Sequence, residues 1–401
     1  MLRSILKHSR YHMKRSRLGR RSGLPREAEN LLWLATGLAE SGSRAEDLFW
    51  DARITESVDE LLQSGDEETL TATLDHLYTS SPEAHDALAD AVESCAESGG
   101  CDPVKQQTLL IAAPVLAWSR FNIPATTLPA SVLANLRVHL SAHVLANNVK
   151  LSMANMLFSP DQLPQGYAET SRFAAEMAVV AERNQDFLID AETLPETARF
   201  LSDVRYLVAV LVAAPGAALF RWQEKDGSRE QSAAQWRTQG GACLTPLLTG
   251  CATELVLPDA YFAASRQADR ASRPYSIRAS VAFLSTTLDV APDGIRTVIA
   301  PFHERQLEEY RIGFTTLTSN KVVHGVVWPL LGVEDDSPDV TQQIEQALRE
   351  CGVTQILQLD QRFPLEYCDD CGSPLYPSPD GEAVHAELPE ESADQMPKHL
   401  H

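Results

Sequence analysis

The densest chemistry in the sequence is the stretch Tyr367-Cys368-Asp369-Asp370-Cys371-Gly372-Ser373-Pro374-Leu375. Two thiolates three residues apart, with Gly after the second, are the turn of a zinc knuckle. Backbone N–H groups face the sulfurs there, and Gly takes the positive φ that the turn requires. A closed zinc site has four ligands, and this stretch provides two. There is no second Cys-x-x-Cys. His385 lies fourteen residues after Cys371, and Cys351 seventeen before Cys368. Either could add a ligand, and spacing does not choose between them. The cofactor expectation is zinc on Cys368, Cys371 and His385, with Cys351 as the other candidate. A metal-free turn and a redox dithiol stay open beside it. The redox reading is the weakest: such pairs sit at helix N-termini, and Pro374 and Pro377 stand against a helix.

A second grouping surrounds one strand-to-helix turn: Arg221, Trp222, Glu224, Arg229, Glu230, Trp236 and Arg237. A helix N-terminus beside Arg221 and Arg229 could hold an anion, and Trp222 and Trp236 could stack on a ring. The plainer reading makes both Trp core residues and the charges an exposed helical face, and it is favoured. Other matches fail on spacing. His303-Glu304 begins a His-Glu-x-x-His zinc motif, but the second His position holds Leu307. His385-Ala386-Glu387 has the His-x-Glu of zinc deaminases, but the Cys-x-x-Cys lies upstream of it instead of downstream. No Gly-x-Gly-x-x-Gly, P-loop or Gly-x-Ser-x-Gly occurs.

Charge is segregated. The net charge is −21, yet residues 1–26 hold nine Lys/Arg and no acid, so the remainder carries −30. An acidic body repels phosphate backbones and anionic membranes. Contact with RNA or DNA is therefore expected only through the basic arm and its dense run Lys14, Arg15, Arg17, Arg20 and Arg21, through a salt-dependent term. Ile5 and Leu6 would suit a membrane surface instead, and a solvated tail is the plain alternative. The seven cysteines are odd in number and thinly spread, which fits reduced thiols in a cytoplasm better than a disulfide framework. The arm is Arg-rich and acid-free like an organellar transit peptide, and Met13 is an alternative start. No run of about 18 apolar residues exists, so no membrane insertion is expected.

The elements that must position these groups read as an α+β chain: an all-helical domain, then α/β units. Residues 1–24 are a basic disordered arm. Residues 25–147 are a helical domain, entered behind Pro25 with Ala28, Leu31, Leu32, Ala35 and Leu38 at helical spacing. Long Leu/Ala/Val-rich helices are expected over 105–147. Residues 148–274 form a first α/β unit. It has strands at Leu151–Phe158, Arg205–Ala214 and Ala218–Glu224, the last two a hairpin around Pro215-Gly216. Helices are expected at Tyr167–Glu182, at Ser228–Leu248 with a break at Gly240-Gly241, and over 259–288. Residues 275–376 form a second unit carrying the cysteine turn. Its strands are Arg296–Ala300, Tyr310–Thr315, Val322–Leu331 and Gln355–Leu359, with a helix at Pro338–Glu350 capped by Ser337. Residues 377–401 are an acidic disordered tail.

The halves align loosely. Phe220-Arg221-Trp222 and Val326-Val327-Trp328 precede the two helices, which end in Gly250-Cys251 and Cys351-Gly352. A duplicated β-β-α-β unit with a cleft between the copies is one reading. The other is that any two such units look alike at this level.

Several strings resemble a family of bacterial proteins catalogued only as a domain of unknown function. They are Leu157-Phe158-Ser159-Pro160-Asp161-Gln162-Leu163-Pro164, Phe220-Arg221-Trp222-Gln223-Glu224, Leu257-Pro258-Asp259-Ala260-Tyr261, Val326-Val327-Trp328-Pro329-Leu330 and the Tyr367–Leu375 turn. The likeness covers most of the chain from about residue 14. It implies a bacterial cytoplasmic protein, argues against a transit peptide and offers no catalytic residues. The functional expectation is a non-catalytic regulatory or scaffold protein with an unidentified protein partner, its basic arm reaching nucleic acid or a ribosome. The alternative is an enzyme or small-anion-binding protein that uses the cleft between the two α/β units.

Overall fold

The structure is a computed structural model and describes residues 24–100, 104–119, 123–197, 202–331, 334 and 338–388. The basic run Lys14 to Arg21 and residues 389–401 lie outside the described residues, as does Ser337. The chain divides into two compact units, 1–96 with 166–169, and 97–165 with 170–401. Among the described residues no helix is long and apolar enough to cross a membrane.

The first unit is helical: α1 (Arg26–Ala39), α2 (Arg44–Ser64), α3 (Glu67–Ser80) and α4 (Pro82–Ser98). Each start has a local cause. Ser43 accepts the Glu46 N–H, and the Glu46 carboxylate reaches back to the Gly42 N–H, a reciprocal cap. Asp66 accepts the Thr69 N–H at 3.1 Å. Leu31, Ile54, Val58, Leu70 and Leu88 are fully buried between the helices.

The second unit holds two sheets. Its chain runs β1 (Gln107–Trp118), β2 (Thr126–Thr127), α5 (Ala130–His143), β3 (Lys150–Met153), β4 (Met156–Leu157), α6 (Tyr167–Ala181) and β5 (Ser202–Ala213). Then come α7 (Arg229–Gln235), a π-helical stretch Trp236–Gly240, α8 (Gly241–Leu244), β6 (Ala252–Leu255), β7 (Asp259–Ala260) and α9 (Tyr261–Thr287). It finishes with β8 (Ile295–His303), β9 (Leu307–Thr316), β10 (His324–Pro329), α10 (Pro338–Glu350), β11 (Gln355–Gln358), β12 (Phe363–Pro364), β13 (Tyr376–Pro377) and β14 (Ala383–Val384).

The first sheet has the order β3-β5-β1-β6, with β7 also on β1, and all its pairs are antiparallel. α5 and the Trp236–Leu248 region cover one face, and α6 and the first half of α9 cover the other. The second sheet has the order β10-β9-β8-β11, with β11 and β12 parallel to β8. The second half of α9 and α10 cover one face of it, through Ile277, Val281, Leu284, Ile344 and Leu348. One helix of 27 residues, about 40 Å long, thus packs on both sheets, with Pro274 inside it.

Several sequence expectations need correction. The helical reading of 105–147 holds for α5 only; Gln107–Trp118 is a strand paired along its length with β5. The apolar run Leu109–Trp118 lacks alternation because helices bury both faces, so its period carries no strand signature. The boundary at 147/148 therefore cuts the first sheet, and that at 274/275 falls inside α9. The hairpin at Pro215-Gly216 does not form. Both edges of β5 are already taken by β1 and β3, so 218–224 becomes a single bridge at Phe220 and a 3-10 turn over Arg221–Gln223. The acidic tail does not begin at 377: β13 pairs with β14, and Tyr376 and Ala386 are buried against Val322.

Candidate metal centre

The cysteine turn is built by backbone first. Gly372 has φ +72° and donates its N–H to the Cys368 carbonyl at 2.8 Å, while Cys368 N–H donates to the Ser373 carbonyl at 2.7 Å. A side chain at position 372 would strain that left-handed conformation. Tyr367 and Pro374 bridge across the base of the turn. The β13–β14 pair then returns the chain, so that His385, directly after β14, meets the thiols. The ligand atoms of Cys368, Cys371 and His385 all lie within 4.8 Å of one another. Cys371 Sγ is 3.3 Å from His385 Nε2.

The electrostatics favour a thiolate. The Cys371 thiol is held at about 7, below its ordinary value, chiefly because the Ser373 hydroxyl and backbone N–H hydrogen-bond it, with His385 and Cys368 adding to this. Cys371 is exposed and Cys368 and His385 are partly so, which places the cluster at the surface. The Glu387 carboxylate lies 3.9 Å from His385 Nδ1.

Two devices hold this segment on the second sheet. Gly313 and Gly325 face each other across β9 and β10. A Cβ at Gly313 would lie 2.2 Å from the Pro377 carbonyl, and one at Gly325 2.2 Å from the Tyr376 ring, so β13 occupies space that any side chain would take. The second device is Arg311, fully buried on β9. Its Nη1 donates to the Glu366 and Leu375 carbonyls at 2.6 and 2.8 Å, the two ends of the cysteine turn. Its Nε donates to Glu309 at 2.6 Å, and its Cζ lies 4.3 Å from the Phe302 ring centre and 5.0 Å from that of Tyr367. Sequence reading missed Arg311, Ser373 and the glycine pair. The available signal was the charged pair Glu309-x-Arg311 inside an apolar strand.

The other sequence candidates separate. Cys351 is not in the cluster; it packs against the α9–α10 core, where burial pushes its thiol up. Trp236 is fully buried, and its indole N–H donates to the Val256 carbonyl at 3.0 Å. Trp222 stacks on Phe220 at 4.5 Å, with Arg229 over it at 5.0 Å. Arg229 pairs with Asp259 at 2.5 Å. Arg221 alone of the four lines a cavity of about 440 Å³, together with His143, Asn147, Glu224 and Lys225. Its buried Nε–H meets no acceptor among the described residues.

The chain belongs to the family described as "Protein of unknown function (DUF2863)", whose model matches residues 16–399. No curated protein and no solved structure matches it.

Proposed function

We propose that this is a non-catalytic regulatory or scaffold protein of the bacterial cytoplasm whose C-terminal segment is clipped shut by zinc. The observation that carries the reading is the convergence of Cys368, Cys371 and His385 from two separate segments to within 4.8 Å. Two sulfurs and an imidazole are the donor set zinc prefers. Tetrahedral zinc, with Zn–S of about 2.3 Å and Zn–N of about 2.0 Å, sets S and N about 3.5 Å apart, and Cys371 Sγ and His385 Nε2 are 3.3 Å apart. A bound ion would join the turn to β14 and so close the segment that covers the second sheet. The basic arm (Lys14, Arg15, Arg17, Arg20 and Arg21) would provide contact with RNA, DNA or a ribosome, and a protein partner is expected. Metal analysis of purified protein tests the zinc reading. About one equivalent, lost in Cys371→Ser and His385→Ala, is expected. Less than half an equivalent, with no fall in melting temperature under chelator, ends it. Comparing RNA affinity with and without residues 1–24 tests the arm; an unchanged affinity removes that part.

A second reading rests on the Arg221 cavity, where Arg221 and Lys225, set beside Glu224 and Asp226, could hold a small anion. It places the ligand beside α5 and α7, away from any cleft between the sheets. Thermal shift with phosphate or citrate, abolished by Arg221→Gln, is the expected result; no shift rejects it.

A further inference from the structure

We infer that the chain's own basic segment, residues 1–23, docks along the groove between α1 and α2. The α1–α2 seam carries two neighbouring patches of different chemistry. In one patch a cavity of about 630 Å³ is lined by Glu27, Asn30, Ser57, Glu60 and Ser64, and Asn30 Nδ2 reaches Ser57 Oγ at 3.4 Å. One turn further along α1, about 5 Å beyond Asn30, Trp33, Phe49 and Trp50 form an aromatic cluster, both ring pairs meeting edge to face at 5.0 Å. Trp33 is 57% exposed, Phe49 47% and the adjacent Leu48 61%. Large apolar side chains left to water side by side mark an interaction surface, whereas scattered ones do not.

Charge, position and composition select the occupant. Between Leu24 and Ala96 there are seventeen Asp/Glu and three Lys/Arg, so the unit attracts cations and repels polyanions. Residues 1–23 hold eight Lys/Arg and no acid. They join the unit at Leu24, directly before Arg26 and Glu27 at the mouth of the acid-lined cavity. Twenty-three residues can reach about 75 Å, several times the length of α1. Leu2, Ile5, Leu6, Tyr11 and Leu18 alternate with the basic residues, so one segment offers cations to Glu27 and Glu60 and apolar groups to the aromatic patch. Arg53 already lies over the Phe49 ring at 4.5 Å, so this face accepts a guanidinium. Docking masks the basic segment until a stronger polyanion competes for it. The inference does not depend on the nucleic-acid reading, because the groove can hold the segment whether or not RNA does.

The test uses a fluorescein-labelled peptide of residues 1–23, the intact chain, and the chain lacking 1–23. The truncated chain is expected to bind the peptide, about tenfold more weakly at ~0.5 M than at ~0.05 M salt. The intact chain should bind about tenfold more weakly than the truncated one, because its own segment fills the groove at high effective concentration. Glu27→Lys with Glu60→Lys, and Trp33→Ala with Phe49→Ala, should each weaken binding to the truncated chain. Glu83→Lys with Asp90→Lys, the same charge change on α4, should leave it unchanged. Melting curves check folding, and Glu27→Gln with Glu60→Gln replaces the Lys pair if that variant fails to fold. No peptide binding, equal binding by intact and truncated chains, or equal weakening by the α4 pair would overturn the inference.

Discussion

The two sheets of the second unit share a plan and differ in how they are covered. Each has two long antiparallel strands at its centre, β1 with β5 and β8 with β9, and a strand that follows a helix on the outer edge of the first. Helices close both faces of the first sheet. Among the described residues the second sheet has helices on one face only; its other face is covered by residues 363–386, which carry two-residue strands and no helix. Helical layers hold themselves by internal hydrogen bonds and a wide apolar stripe. An irregular segment has neither and must be fastened at points. The glycine slot and Arg311 are two such points, and the proposed metal on the Cys/His cluster would be a third.

Each sheet also buries an arginine two residues after a carboxylate on its second strand, Asp203-x-Arg205 and Glu309-x-Arg311. Arg205 pairs with Asp203 and donates to the Ile123 and Pro124 carbonyls at 2.7 and 3.1 Å. Arg311 uses the same chemistry on the cysteine turn. Equal devices thus fasten a connecting segment in one sheet and the candidate metal centre in the other.

That comparison can be broken experimentally. The largest effect is expected from Arg311→Met and Arg205→Met, each about 3–5 kcal/mol in urea unfolding, because each removes the guanidinium that faces a largely buried carboxylate and strips two carbonyls of their side-chain donor. Only Arg311→Met should also reduce metal content; equal loss in both variants would erase the distinction between the sheets. Gly325→Val, which drives a side chain into the Tyr376 ring, should cost about 1–3 kcal/mol and lower metal affinity. Chelator should lower stability by roughly 3–4 kcal/mol if metal stands ~100–1,000-fold above its Kd. Hydrogen exchange should place that loss at 363–388; loss of protection across β1 and β5 would contradict it. The smallest effect is on pH. A thiol held at about 7 stays ionised above that pH, and its thiolate contribution is lost as pH falls through it. In metal-free protein, iodoacetamide labelling of Cys371 should have its midpoint near pH 7. Ser373→Ala should move that midpoint up, and an unmoved one would remove Ser373 from the account.

Legibility followed locality. α1, α6, α9 and α10 stood out because each carries its own helical period, helped at α1 by Pro25. β8, β9 and β10 were also legible, since one face of that sheet is less completely apolar. β1 was not: an apolar run buried on both faces looks the same in a helix or a strand until its partners are known. The false strand at 218–224 came from a sound turn signal at Pro215-Gly216, overruled because β5 had no free edge.

For the candidate site, the sequence by itself determined the cysteine turn, since a Cys-x-x-Cys-Gly string specifies its own backbone and the direction of both sulfurs. It also determined the separation of a basic N-terminal segment from an acidic body, since charge is additive along a chain. Only the tertiary structure decided that His385, and not Cys351, joins the thiols. It alone showed that Arg311 and a glycine pair hold the turn in place. Those choices depend on which strand edges and faces remain open after the two sheets have formed, and no spacing along the chain encodes that.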